Sequence, residues 1–196
     1  MGKRLLTIVQ MNDLHGYLEP HAEIIWSPGG PQFPTMGGLA RIASVVASLR
    51  GETSGALVFL DNGDTFHGTF PAVHSRGEAL IPMLNALGID AMTAHWDFAW
   101  GPGHLKALTS RLNYPMLAAN CIDPSTSERP FSAQMIFERG GIRVAVIGLA
   151  ATIIDKSMPP RFAGGLQFTS GLSELHSAIE QAKTDEADII VVLSHQ

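Results

Sequence analysis

Five short apolar runs in this 196-residue chain each lead to residues that can hold a metal or a proton, and that recurrence limits the fold more than any other feature. Residues 5–11 run to Asp13 and His15, and residues 56–60 run to Asp61-Asn62-Gly63-Asp64. Residues 90–93 are followed by His95 and Asp97, 116–119 by Asn120, and 189–193 by Ser194-His195. Short continuous apolar runs bounded by turn residues read as buried strands. A carboxylate or imidazole is costly to bury alone, so strands that all end this way imply a shared use at one end of a sheet. Open α/β sheets bind their ligands there, beyond the carboxyl ends of the strands. In Asp13-Leu14-His15, side-chain alternation along an extended chain predicts a carboxylate and an imidazole on one face. An oxygen donor beside an imidazole suits zinc, manganese or iron better than magnesium or calcium.

Helical patterns fill the gaps between the strands. Leu39, Ile42, Val45, Val46 and Leu49 have helical spacing across residues 38–49. Residues 78–87 read as a helix stopped by Gly88, a suitable left-handed cap. Further helices are expected over 104–112 and over 172–182, the latter opened by Ser170 or Ser173 as N-cap. Residues 134–138 and 142–148 flank Arg139-Gly140-Gly141, a glycine hairpin. Residues 16–37 read as a long Gly/Pro-rich loop. Strand and helix alternate without a repeat or a linker, so the class is α/β and residues 1–196 form part of one domain.

Composition removes several alternatives. A formal charge of −5, with no Lys/Arg cluster, argues against a nucleic-acid surface. Nucleotide phosphates stay open, because a metal centre neutralises them locally. The single cysteine, Cys121, excludes an internal disulfide and a cysteine-based zinc site, and reads as a buried small residue near a strand end. Met1-Gly2-Lys3-Arg4 leads directly into a strand rather than a signal peptide, and no apolar run has the length of a membrane helix. The chain as written is therefore expected to be cytoplasmic, or extracytoplasmic if a leader has been removed. No G-x-S-x-G elbow occurs, which excludes the usual Ser/His hydrolase arrangement.

Four blocks, in order along the chain, carry a family resemblance. The string Thr7-Ile8-Val9-Gln10-Met11-Asn12-Asp13-Leu14-His15-Gly16-Tyr17-Leu18-Glu19-Pro20 resembles the opening motif of the 5′-nucleotidase branch of the calcineurin-like metallophosphoesterases. Leu60-Asp61-Asn62-Gly63-Asp64-Thr65-Phe66-His67-Gly68-Thr69 is similar to their second, G-D-x-x-x-G block. The segment Ile142–Leu149 resembles a core strand of the family, and Val191-Val192-Leu193-Ser194-His195 a strand ending in a metal-binding histidine. The resemblance implies a β-sandwich flanked by helices, four layers in the order αββα, incomplete at the C-terminus. It also implies two divalent metal ions (Mn, Zn or Fe) and a small phosphoester or nucleotide substrate. Asp13 and His15 would hold the first metal, Asp64 would bridge both, and His195 would bind the second. Asn120 reads as a loop-shaping residue. His67 stands where relatives often carry Gln, and reads as a supporting residue or a surface one. His21, His74, His104 and His176 read as solvated.

Two departures from the family pattern bear on function. Where the family reads G-N-H-E-F-D, this chain reads Ala94-His95-Trp96-Asp97-Phe98-Ala99. Registering on Phe98 and Gly101 places His95 at the metal-binding Asn, Trp96 at the histidine that stabilises the transition state, and Ala99 at its acidic partner. The opposite register, with His95 as the catalytic histidine, leaves the second metal short of a ligand. His95 and Asp97 are the candidate catalytic residues of this block. A His-Trp-acid variant also resembles the thiosulfohydrolases of bacterial sulfur oxidation, which implies a sulfur-linked substrate as one alternative and an inactive binding scaffold as another. The second departure is the end of the chain at His195-Gln196, ahead of the family's G-H-x-H block. It reads as the N-terminal portion of a longer protein, with the last ligands supplied by the missing part of its own chain.

Overall fold

The computed structural model describes residues 3–195. Strand Thr7–Met11 pairs in parallel with Leu57–Asp61, which pairs in parallel with Ala91–Met92. In the second sheet Ile142–Leu149 lies between Ile189–Ser194, parallel to it, and Gln134–Arg139, antiparallel. The expected hairpin is present, with both turn residues, Gly140 and Gly141, at positive φ, the backbone that a tight hairpin demands.

Alternation along the central strands assigns the layers. In Leu57–Asp61 every residue is buried. Leu57 and Phe59 join the cluster beneath helix Leu39–Glu52 and helix Ile81–Leu87, whereas Val58 and Leu60 join Val144, Val146 and Leu193 between the two sheets. On the far side, Ile147 and Leu149 meet Ala178 of helix Leu172–Thr184. The order is helix, sheet, sheet, helix, as the resemblance implied. No described helix is long and apolar enough to cross a membrane.

Several local expectations are corrected. Residues 116–119 are no regular strand. Leu117 donates to the Met92 carbonyl of the first sheet at 2.8 Å, while Ala118 and Ala119 donate to Ser132 and Gly148 on the second sheet's side at 2.9 and 2.8 Å. A segment that passes from one sheet to the other cannot keep a single ladder. The 16–37 loop contains two short antiparallel pairs, His21–Ala22 with Thr35–Met36 and Ile25–Ser27 with Gly30–Gln32. The helix expected over 78–87 opens as a 3₁₀ turn, Glu78–Leu80, before Pro82 at the start of the α-helix. Gly88 caps it at φ 67° as expected. The next helix begins earlier, at Pro102, a favoured first helical position. The N-cap of Leu172–Thr184 is Gly171, in left-handed conformation, rather than either serine.

Gly148 marks the tightest approach between layers. A Cβ there would lie 2.4 Å from both the Cβ and the carbonyl oxygen of Leu117, so only a residue without one fits where the crossing segment meets the second sheet. Gly148→Ala is expected to lower unfolding free energy by about 1–3 kcal/mol, the usual range for overpacking a core. A urea midpoint unchanged from wild type would contradict this account of the crossing.

Candidate metal centre

The first strand stops at Met11, so strand alternation does not bring Asp13 and His15 together. The loops after strands Thr7–Met11 and Leu57–Asp61 run side by side instead. Asp13 N–H donates to Gly63 at 2.9 Å, His15 N–H to Asp64 at 2.9 Å, and Gly16 N–H to Thr65 at 3.1 Å. This course holds Asp13, His15 and Asp64 at φ of 54°, 49° and 64°. Left-handed backbone is uncommon for residues other than glycine, and such strain concentrates at functional sites. Gly68 lets the second loop close over the first, since a Cβ on it would lie 2.4 Å from the His15 carbonyl oxygen.

Asp64 is the hub. Its Oδ2 lies 3.3 Å from His15 Nε2 and 3.1 Å from His95 Nδ1, while Oδ1 faces His67 Nε2 at 2.5 Å and accepts the Trp96 backbone N–H at 3.1 Å. Two groups of metal-competent side chains share this one carboxylate: His15, Asp64 and His67, and Asp64, His95 and His195. Asp13 Oδ1 stands 3.3 Å from His15 Nε2 and 3.9 Å from His195 Nε2. Burial opposes charge on Asp64, yet the hydrogen bond from His67 and the adjoining His95 outweigh it and hold the carboxyl well below the usual carboxylate range. Burial likewise lowers the His67 pKa, and the Asp64 hydrogen bond and charge overcome it, for a net rise.

The donor set fits divalent cations. Among the described residues the buried His95 Nδ1 has no hydrogen-bond partner, although it stands beside the Asp64 carboxylate. His195 directs Nδ1 to the Asn62 carbonyl at 2.7 Å, and Asn62 Nδ2 in turn donates to the Ser194 carbonyl at 2.8 Å. That arrangement fixes the imidazole ring and leaves Nε2 as the free lone pair, the usual way a ligating histidine is oriented. The rings of His95 and His195 stack at 4.3 Å.

Asp97 does not face the cluster. Its Oδ1 accepts from the backbone N–H groups of Thr65 and Phe66, at 2.8 and 3.1 Å, and its Oδ2 from those of Asp64 and His95, at 2.9 and 3.0 Å. With both oxygens turned to amides, it suits the positioning of Asp64 and His95 rather than proton transfer. Asp61 sits beneath the same loop, accepting from Gly63 N–H and the Thr65 hydroxyl, and burial pushes its pKa up to about 7. Trp96 is 42% exposed, with its ring edge-on to Phe162 at 5.9 Å. Among the described residues the Asn120 side chain bonds only to backbone, at Ala150 and Thr169.

Two residues outside the expected ligand set take part in the site. His67 lies inside the cluster, and its three-residue separation from Asp64 in a tight loop was the available signal. Asn62 was noticed only as part of a strand end, because its partners lie more than 130 positions away. His21 is no free surface histidine: it contacts Glu23 and stacks on Tyr17 at 4.0 Å. His104 likewise meets the Arg76 carbonyl.

No model of a known protein family matches the chain. In sequence it is similar to the probable 5′-nucleotidase of Treponema pallidum, 30% identical over 97% of this chain and 32% of that protein. It is 29% identical to the 5′-nucleotidase of Vibrio vulnificus over 97% of this chain and 33% of that protein. The chain therefore spans about a third of the length of the curated relatives it matches. Among solved structures, the sulfate thiohydrolase SoxB of Thermus thermophilus superposes with TM-score 0.87 at 22% identity, over all of this chain and 44% of that one. The NAD nucleotidase of Haemophilus influenzae gives TM-score 0.80 at 26% identity, over 97% and 34%. The resemblance read from the motifs holds: the chain is a relative of the 5′-nucleotidases and has the metallophosphoesterase fold.

The role of Asp97 can be measured apart from catalysis. Asp97→Asn turns one acceptor into a donor and leaves two amides unmet. Each buried unsatisfied group costs about 1–3 kcal/mol, so thermal and urea unfolding of the metal-free protein is expected to show a loss of about 2–6 kcal/mol. Wild-type stability would exclude the positioning role.

Proposed function

We propose that this relative of the 5′-nucleotidases contributes the N-terminal share of a two-metal centre that hydrolyses phosphoester bonds in nucleotides or similar small molecules. The observation that carries the reading is the Asp64 carboxylate, flanked by imidazoles on two sides. Asp13 and His15 are assigned to the first metal, Asp64 to both, and His95 and His195 to the second. Two divalent cations (Mn, Zn or Fe) held by these residues would acidify water toward neutrality and offset phosphate charge.

The remaining roles belong to the chain itself. Asp97 sets the loops that present Asp64 and His95, and Asn62 holds the His195 ring. Trp96 occupies the place of a histidine and cannot carry a proton or positive charge at neutral pH. Protonation of the leaving group must then come from another residue, or the leaving group must need none. That point supports a second reading, a sulfur-linked substrate, because a thiolate departs without a proton far more readily than an alkoxide.

Asp64→Asn in the full-length protein tests the first reading. It is expected to remove metal-dependent hydrolysis of p-nitrophenyl phosphate and nucleoside monophosphates by more than about a hundredfold, beyond the losses typical of residues that merely support a ligand. Wild-type turnover in this variant would refute the bridging role. Hydrolysis of a thiosulfonate with none of phosphoesters would favour the sulfur reading.

A further inference from the structure

We infer that His67 is itself a ligand of the first metal, so that this chain provides Asp13, His15, Asp64 and His67 around that ion. The inference rests on the two-metal reading and adds a donor that no family motif placed there. His67 Nε2 and His15 Nε2 approach the same carboxylate from different oxygens, at 2.5 and 3.3 Å. These three donor atoms lie within 4.8 Å of one another, as do those of Asp64, His95 and His195. The His67 and His15 rings meet edge to edge-face at 4.9 Å, and the His67 side chain is only 14% exposed. A half-buried imidazole turned inward toward a carboxylate and a second imidazole has the surroundings of a ligand, not of a surface residue.

Donor chemistry points the same way. With His67 the set is two imidazoles and two carboxylates, a combination suited to Zn, Fe or Mn. The loop enforces the placement, because Gly68 packs against the His15 backbone and fixes the residue before it beside the His15 ring. The close His67–Asp64 contact is one that a bound cation would open, since a ligating imidazole must offer a lone pair.

The test is cobalt substitution of the full-length protein, which reads ligation directly. Wild type is expected to bind two Co2+ and to show paramagnetically shifted ring-proton signals from His15, His67, His95 and His195. His67→Gln, which keeps a hydrogen-bond donor for Asp64, is expected to lose the signals of one histidine and to weaken one Co2+ site at least about tenfold. The other site should be unchanged. His67→Ala should match the Gln variant, and His21→Gln, altering a histidine outside the cluster, should leave spectrum and affinity as in wild type. Two bound Co2+ with no histidine signal lost relative to wild type in His67→Gln would overturn the ligand role alone. Wild-type protein that binds no Co2+ would overturn this inference and the two-metal reading together.

Discussion

The Asp97 carboxylate gathers four backbone N–H groups from two loops, and the candidate site depends on that one interaction. It ties residues 64–66 to residue 95, so Asp64 and His95 meet although they leave different strands. Charged acceptors make the stronger hydrogen bonds of proteins, and this one is almost wholly shielded from water. A carboxylate that spans two loops in this way does for the backbone what a sheet ladder does elsewhere. Beside it, the parallel run of loop hydrogen bonds from Asp13 to Gly16 brings in the third loop.

The strain at Asp13, His15 and Asp64 follows from the same architecture. Parallel strands deliver their ends to a common edge, but regular extended backbone would send successive side chains to opposite faces. Left-handed turns at these residues redirect three side chains toward one point. The two sheets packed beneath them supply the rigidity, with Gly148 permitting the crossing segment to bind both.

Much of this was legible in the sequence. The apolar runs and the polar residues after them located the strand ends, the glycine hairpin was read correctly, and Gly88 was placed as a left-handed cap. The layer order came from the resemblance rather than from periodicity. Three things were not legible, for physical reasons. The segment 116–119 has strand composition, but its hydrogen bonds go to both sheets, and no local pattern encodes a change of partner. Asp97 reads as catalytic because an acidic residue in a chemical motif invites that reading, whereas its oxygens accept from amides, three of them some thirty positions earlier. Asn62 acts through His195 at the other end of the chain, a relation that exists only in three dimensions.

Trp96 gives the Asp64 carboxylate its backbone N–H and not its indole. The imidazoles of His15, His67 and His95 surround that carboxylate instead. The central claim is therefore about metals, and a crystal of the full-length protein soaked with Mn2+ tests it most directly by anomalous scattering. Two peaks about 3.5–4 Å apart, the spacing of two-metal hydrolytic centres, are expected on either side of the Asp64 carboxylate. No peak there, or peaks that do not share Asp64, would contradict the account.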